Sequence, residues 1–324
     1  MSQRSKIIVT RKWPEAVEKI LTEKYDVVLN ESDTPFDANK MREALTSADA
    51  LLPTVTDKID SSIFEGITPS VKVIANYGVG YSHIDVDACQ SHGIVVTNTP
   101  DVLSECTADI AVTLMLMAAR RAGEGEREVR EGRWTSWRPN HLIGHKVSGK
   151  TLGIIGFGRI GQEMAKRAHH GFGMKVLAYN RSTPSDAVLQ ACGASSVISI
   201  DELMGQCDFL SLHCPGGDAN RHLINEERLK LMQPHAFLIN TARGEVVDEA
   251  ALAQALQSGT IAGAGLDVYE HEPKVHPDLL ECENAVLLPH LGSATKETRE
   301  GMGFKALNNL DAFFAGQPPH DRVV

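Results

Sequence analysis

Thr151-Leu152-Gly153-Ile154-Ile155-Gly156-Phe157-Gly158-Arg159-Ile160-Gly161 is the stretch on which the fold turns. An apolar run rich in β-formers ends in glycines, and an amphipathic run over 162–169 follows at once. That order predicts a strand turning sharply into a helix. Gly156-x-Gly158-x-x-Gly161 has the spacing of a dinucleotide-binding turn. The first glycine makes the turn, the second lets backbone approach a pyrophosphate, and the third lets helix pack on strand. Phe157, Arg159 and Ile160 complete the candidate phosphate-facing turn. The helix N-terminus adds N–H groups and partial positive charge. Glycines at a strand–helix turn can also be purely structural, so the surroundings decide.

Downstream, 175–179, 207–213, 236–240, 261–268 and 285–288 read as strands, and 162–169, 201–204, 226–231 and 249–258 fill the helical slots. With 152–155 that makes six strands, enough for a doubly wound (Rossmann) α/β fold. Upstream, strands are predicted at 6–10, 26–29, 50–53, 71–75 and 94–97, with helices at 14–23 and 37–47. This rhythm argues a second parallel sheet covered by helices. In such sheets ligands sit beyond the C-terminal strand ends. Two loops fall there: Pro53-Thr54-Val55 and Asn76-Tyr77-Gly78-Val79-Gly80. The second is either a plain turn or a set of backbone donors shaped for a carboxylate. A long helix is expected over 104–118, then a polar arm over 124–149 carrying Trp134 and Trp137. Aromatics in a charged segment point to burial against something outside the local fold, such as a second subunit.

The 324 residues suit two domains at roughly 150 residues each. An apolar fraction of 42% and a charged fraction of 23% are ordinary for a globular protein. No apolar run nears the ~20 residues of a membrane span, and the polar, basic residues 1–7 lead into no signal-peptide core. A cytoplasmic location is expected. Six cysteines show no C-x-x-C pair and are expected to be reduced. The run His271-Glu272-Pro273-Lys274-Val275-His276 lacks metalloprotease spacing, and Pro273 breaks a helix there, so no metal is expected. A net charge of −10 argues against nucleic acid, and an anionic substrate must be captured by a local positive site.

The residue ending the second strand of such a fold reads the adenosine ribose, and an acidic one favours NAD. Asn180, Arg181 and Ser182 stand there, with no Asp or Glu before Asp186. An Arg fork suits a 2′-phosphate in geometry and charge. NADP(H) is therefore expected; if Arg181 is only a surface cation, both cofactors would serve.

Three polar residues follow expected strand ends: Arg243 in Thr241-Ala242-Arg243-Gly244, Glu272 in Glu270-His271-Glu272-Pro273, and His290 in Leu288-Pro289-His290-Leu291-Gly292. Reducing a 2-keto acid by hydride needs a cation for the carboxylate and carbonyl, a proton donor for the alkoxide, and an orienter for that donor. With these motifs in order, alongside 76–87 and 265–273, the chain resembles the D-isomer-specific 2-hydroxyacid dehydrogenases, among them glyoxylate/hydroxypyruvate reductases.

The resemblance implies that Arg243 holds the substrate carboxylate and polarises the keto oxygen. His290 would be the general acid, oriented by Glu272, whose charge favours the imidazolium. Asp267 would sit near the nicotinamide, with His213, Cys214, Pro215, Thr107, Thr241, Ala242 and Gly292 along the cofactor. Val55, Tyr77 and Gly78, with the backbone of Val79 and Gly80, would hold the small anionic 2-keto or 2-hydroxy acid. A flavodoxin-like substrate domain of 1–100 and 291–324 would receive the Rossmann cofactor domain, 101–290, as an insertion. A homodimer is implied, joined through the long helix and the arm. Trp137 either reaches the partner's pocket or packs the interface. NADPH-dependent reduction of glyoxylate, hydroxypyruvate or both is the expected activity. An NAD-using D-lactate-type enzyme and a nucleotide-sensing corepressor are the alternatives.

Overall fold

The structure, a computed structural model, describes residues 4–324, so residues 1–3 of the polar N-terminal stretch lie outside the described residues. The chain divides into two compact units, one of residues up to Leu103 with Thr295–Val324, the other Ser104–Ala294.

The first unit begins β1 (Lys6–Val9), α1 (Glu15–Lys24), β2 (Asp26–Val28), α2 (Ala38–Ser47), β3 (Ala50–Leu52), β4 (Val73–Ala75), α3 (Val86–Ser91) and β5 (Val95–Thr97). The strands pair in parallel in the order β2-β1-β3-β4-β5, that of flavodoxin-like sheets. β3 and β4 are buried throughout because helices cover both faces. Trp13, Val17 and Leu21 pack on one face with Met302, Ala306 and Leu310 of the returning helix Lys296–Phe314. Met41, Leu45, Ile63 and Phe64 cover the other. Asp37 and Asp85 start α2 and α3 by accepting from Lys40 N and Ala88 N at 2.8 and 2.9 Å. The tail lies antiparallel on edge strand β5: Val323 N donates to Val96 O at 2.7 Å, and Arg322 bridges Thr97.

The second unit runs α4 (Ser104–Ala119), α5 (Ala122–Arg130), β6 (Thr151–Ile155), α6 (Arg159–Lys166), β7 (Lys175–Tyr179), α7 (Asp186–Ala191), β8 (Ala194–Ser196), α8 (Ile200–Gln206), β9 (Phe209–Leu212), α9 (Glu226–Leu229), β10 (Phe237–Asn240), α10 (Glu249–Gln257), β11 (Gly263–Leu266), α11 (Pro277–Leu280) and β12 (Ala285–Leu287). The parallel order β12-β11-β10-β9-β6-β7-β8 is the Rossmann order plus one strand. α4 lies so close to β11 that a Cβ on Gly265 would stand 2.8 Å from Leu114 Cβ.

Several features depart from the sequence expectation, the short helices α3, α7 and α11 among them. The sheet has seven strands rather than six. β8 is the polar run Ala194–Ser196, half-buried to exposed, held by parallel pairing to β7, so no apolar pattern marks it. The arm also opens with a helix, α5, which follows Arg121 in the left-handed conformation (φ 53°). Charge pairs between Arg121 and Glu124, and between Glu126 and Arg130, support it in place of an apolar stripe. Among the described residues no helix is long and apolar enough to cross a membrane, and no His, Cys, Asp and Glu cluster could hold a metal ion.

Candidate active site

β6 delivers the glycine turn to the C-terminal edge of the second unit's sheet, and each glycine has a distinct geometric reason. Gly156 is left-handed (φ 93°), and a Cβ there would lie 2.5 Å from Cys214 N and 2.6 Å from His213 C. A Cβ on Gly161 would meet Gly156 O at 2.3 Å, so the helix packs on the turn only without one. A Cβ on Gly158 would have no protein atom within 4 Å. No neighbour among the described residues therefore requires a glycine here, whereas a ligand phosphate approaching the backbone would need the space.

Asn180, just past β7, ties the turn down. Its Oδ1 accepts from Phe157 N at 3.0 Å, and its Nδ2 donates to Ser182 O at 2.8 Å. Arg181 and Ser182 are exposed, and no carboxylate among the described residues pairs with Arg181. At the ends of β9 and β10, two buried polar atoms have no partner, His213 Nδ1 and Thr241 Oγ1. The other ring nitrogen of His213 meets Ser211 Oγ at 2.9 Å, and burial pushes the imidazole down to about 3. Cys214 is likewise pushed up to about 11 by burial, which leaves a protonated thiol. Pro215 is exposed and Ala242 buried. Orphaned buried groups beside an open glycine turn are what a dinucleotide site leaves for its ligand to satisfy.

Beyond the glycine turn, β10, β11 and β12 bring the three reacting candidates into one unit. Asn240, buried at the end of β10, shapes the loop: its Oδ1 accepts from Ala242 N and its Nδ2 donates to Arg243 O, both at 3.0 Å. Arg243 is half-buried, and its Nη1 donates to Ala242 O at 2.6 Å. Burial pulls the guanidinium pKa down, and the charges of Glu245 and Glu272 oppose it. Gly244 follows because a Cβ there would coincide with the Tyr269–Glu270 peptide, at 1.8 Å from Tyr269 C.

His290 stands past β12 in a left-handed conformation (φ 56°). Asp267, at the end of β11, holds that turn: its O accepts from His290 N at 2.9 Å, its Oδ1 from Leu291 N at 2.6 Å and its Oδ2 from Gly292 N at 2.7 Å. Gly292 O in turn accepts from Thr107 Oγ1 of α4 at 3.1 Å. Burial raises the Asp267 carboxyl pKa in spite of the two amides and the nearby His290. His290 Nδ1 meets Glu272 Oε2 at 2.8 Å, and Glu272 Oε1 accepts from Tyr269 N at 3.1 Å. Desolvation alone would raise the Glu272 carboxyl. The bond to His290, its charge, the Tyr269 amide and Arg243 outweigh that and hold the pKa below the ordinary glutamate value. The His290 side chain is 34% exposed, and its Nε2 bonds to none of the described residues.

In the first unit, the 76–80 loop has its carbonyls turned inward. Asn76 Nδ2 donates to Gly78 O and Gly80 O at 3.0 and 3.1 Å, and Asn98 Nδ2 to Val79 O at 2.9 Å. The loop touches the other candidate loop, since a Cβ on Gly78 would sit 2.7 Å from Val55 Cγ1. Tyr77 turns into the core, its hydroxyl on Arg299 O at 2.5 Å and its ring 4.6 Å from that of Trp13, so only its backbone faces the loop. In the arm, Trp134 and Trp137 are exposed, Trp137 by 79%. The shaping role of Asn240 was not singled out from sequence; a polar residue at a strand end is the only mark it carries.

Residues 112–292 match the profile of the D-isomer specific 2-hydroxyacid dehydrogenase NAD binding domain. The chain is 45% identical over 320 residues to a glyoxylate reductase of Thermococcus onnurineus, covering 98% of this chain and 95% of that one. Its fold is similar to the crystal structure of a glyoxylate reductase from Paecilomyes thermophila, with a TM-score of 0.87, 35% identity, and coverage of 100% and 99%. It is also similar to an NADPH-dependent glyoxylate/hydroxypyruvate reductase from Sinorhizobium meliloti, solved with NADP and malonate. That comparison gives a TM-score of 0.85, 35% identity and coverage of 99% and 97%.

Proposed function

The chain belongs to the D-isomer-specific 2-hydroxyacid dehydrogenases, and from that premise we propose that it reduces glyoxylate, hydroxypyruvate or both with NADPH. It is an NAD(P)-dependent oxidoreductase with an NAD-binding domain. The observation that carries the proposal is the His290–Glu272 pair at 2.8 Å, with Nε2 left for a substrate, in the unit that also holds Arg243.

Arg243 binds the carboxylate of the 2-keto acid and draws charge toward the keto oxygen as it becomes an alkoxide. Glu272 is held ionised and faces His290 Nδ1, which orients the ring so that Nε2 can donate the proton to the forming alkoxide. When bound, the nicotinamide supplies the hydride. The turn Gly156–Gly161, Asn180, His213 and Thr241 hold the cofactor, and Arg181 with Ser182 takes the 2′-phosphate. Glyoxylate and hydroxypyruvate are the substrates in the names of similar proteins. NADPH is favoured because Arg181 is exposed and has no carboxylate partner, while neutral Asn180 stands where NAD enzymes place an acid.

The test is oxidation of NADPH and of NADH with glyoxylate, hydroxypyruvate and pyruvate in parallel, on three proteins. Wild type should turn over the first two fastest with NADPH. Arg181→Ala should raise the KM for NADPH about 10-fold and leave that for NADH near wild type. His290→Ala should lower kcat by about 100-fold or more. No turnover with any 2-keto acid would overturn the proposal.

A further inference from the structure

The turn that presents Glu272 has an anchor of its own. Glu249, the first residue of α10, is a buried carboxylate with no cation among the described residues bonded to it. Its Oε1 accepts from Glu270 N at 2.6 Å and its Oε2 from His276 N at 3.0 Å. Those two amides bracket the turn 271–275, which is closed internally by Lys274 N donating to His271 O at 2.9 Å. Glu272 sits inside this bracket, with one oxygen on Tyr269 N and the other on His290.

We propose that Glu249 is a positioning residue for the Glu272–His290 pair: one carboxylate fixes both ends of the turn that carries Glu272. A buried carboxylate is costly unless its lone pairs are satisfied, and here two amides of one short turn satisfy it. The same anchor reaches Arg243. Gly244 lies against the Tyr269–Glu270 peptide with no room for a Cβ, and Glu249 holds the N–H of that peptide. The outer side of the turn is fixed separately, by Arg221 Nη2 and His222 Nε2 on Glu270 Oε1 at 2.9 and 2.6 Å. Glu249 touches none of the reacting groups and acts through the backbone. Arg243 and Asp267 are the other charged groups that face the pair, and both charges are retained when Glu249 is replaced.

The inference rests on the acid-pair assignment above, and its test separates the two. Glu249→Gln keeps the volume but offers one acceptor for two amides. Glu249→Asp keeps the charge but is one methylene too short to span them, and stands in should the glutamine variant not fold. Either should lower kcat/KM for glyoxylate about 10-fold near neutral pH, because a misplaced orienter loosens the imidazole. The high-pH limb of the reduction profile should move toward acid, since a displaced carboxylate stabilises the proton on the donor less. NADPH affinity, read by fluorescence of the bound cofactor, should stay within about 2-fold of wild type. An unmoved limb, or a loss of kcat/KM that only parallels lost NADPH binding or lost folded protein, overturns the proposal. Glu272→Gln is the control. If it moves the limb and the Glu249 variants do not, the anchor alone is wrong. If it leaves the limb in place, the acid-pair assignment fails and the anchor with it.

Discussion

His213, half-buried with its Nδ1 fully enclosed, shows how a single side chain sets a pH window. Burial holds its pKa at about 3, so the ring is neutral in the folded chain wherever the unfolded chain would begin to protonate it. A folded-state value depressed below the unfolded one near 6.5 leaves stability intact above that pH and removes it progressively as pH falls toward 3. At pH 5 the loss is about 2 kcal/mol from this group. Urea unfolding at pH 7 and pH 5 should show a drop of that order for wild type and a smaller one for His213→Gln; equal drops would count against the buried neutral ring. Arg243, Glu272 and His290 were legible because each is a polar residue just past an apolar run. The turning of Tyr77 into the core was not. It depends on Trp13 and Arg299, 64 and 222 positions away, and no pattern within a five-residue loop encodes that.

Among the elements, the β6–α6 turn makes the sharpest comparison. Gly156 and Gly161 are required by the protein's own backbone, while Gly158 is extended with a negative φ of −76° and has space around it. Gly156→Ala should cost roughly 3 kcal/mol or more, as forced overlap with the His213–Cys214 peptide implies. Gly158→Ala should cost at most about 1 kcal/mol, for the weaker helix cap. It should nevertheless weaken NADPH binding by about 10-fold or more in a fluorescence titration. Equal affinities for wild type and Gly158→Ala would remove that glycine from the cofactor site. The turn was readable because glycine spacing is a local backbone requirement. β8 was not, because its pairing partner β7 supplies the whole reason for it. α5 hid for a related reason: its residues favour helix through charge pairs, without an apolar stripe to announce them.

For the whole molecule, two strand orders carry most of the information, and both follow from a sequence that alternates short apolar runs with helical ones. How many copies assemble is a separate matter, and the arm bears on it. Trp134, Trp137 and Ile143 are exposed by 53%, 79% and 63%, a large apolar area for one polar segment. The homodimer that the family resemblance implies would cover them, and we propose that it forms. Light scattering at micromolar concentration should give twice the 35.2 kDa chain mass. Trp134→Ser with Trp137→Ser should weaken the association about 10-fold or more; a wild-type monomer would end the proposal. The other margin to consider is β5, the last strand of its sheet, along which residues 321–324 lie antiparallel. Those few residues occupy backbone groups that would otherwise be open to any extended chain. Removal of residues 321–324 would therefore leave a sticky sheet margin, and the first sign of damage would be clouding on storage rather than a slower reaction.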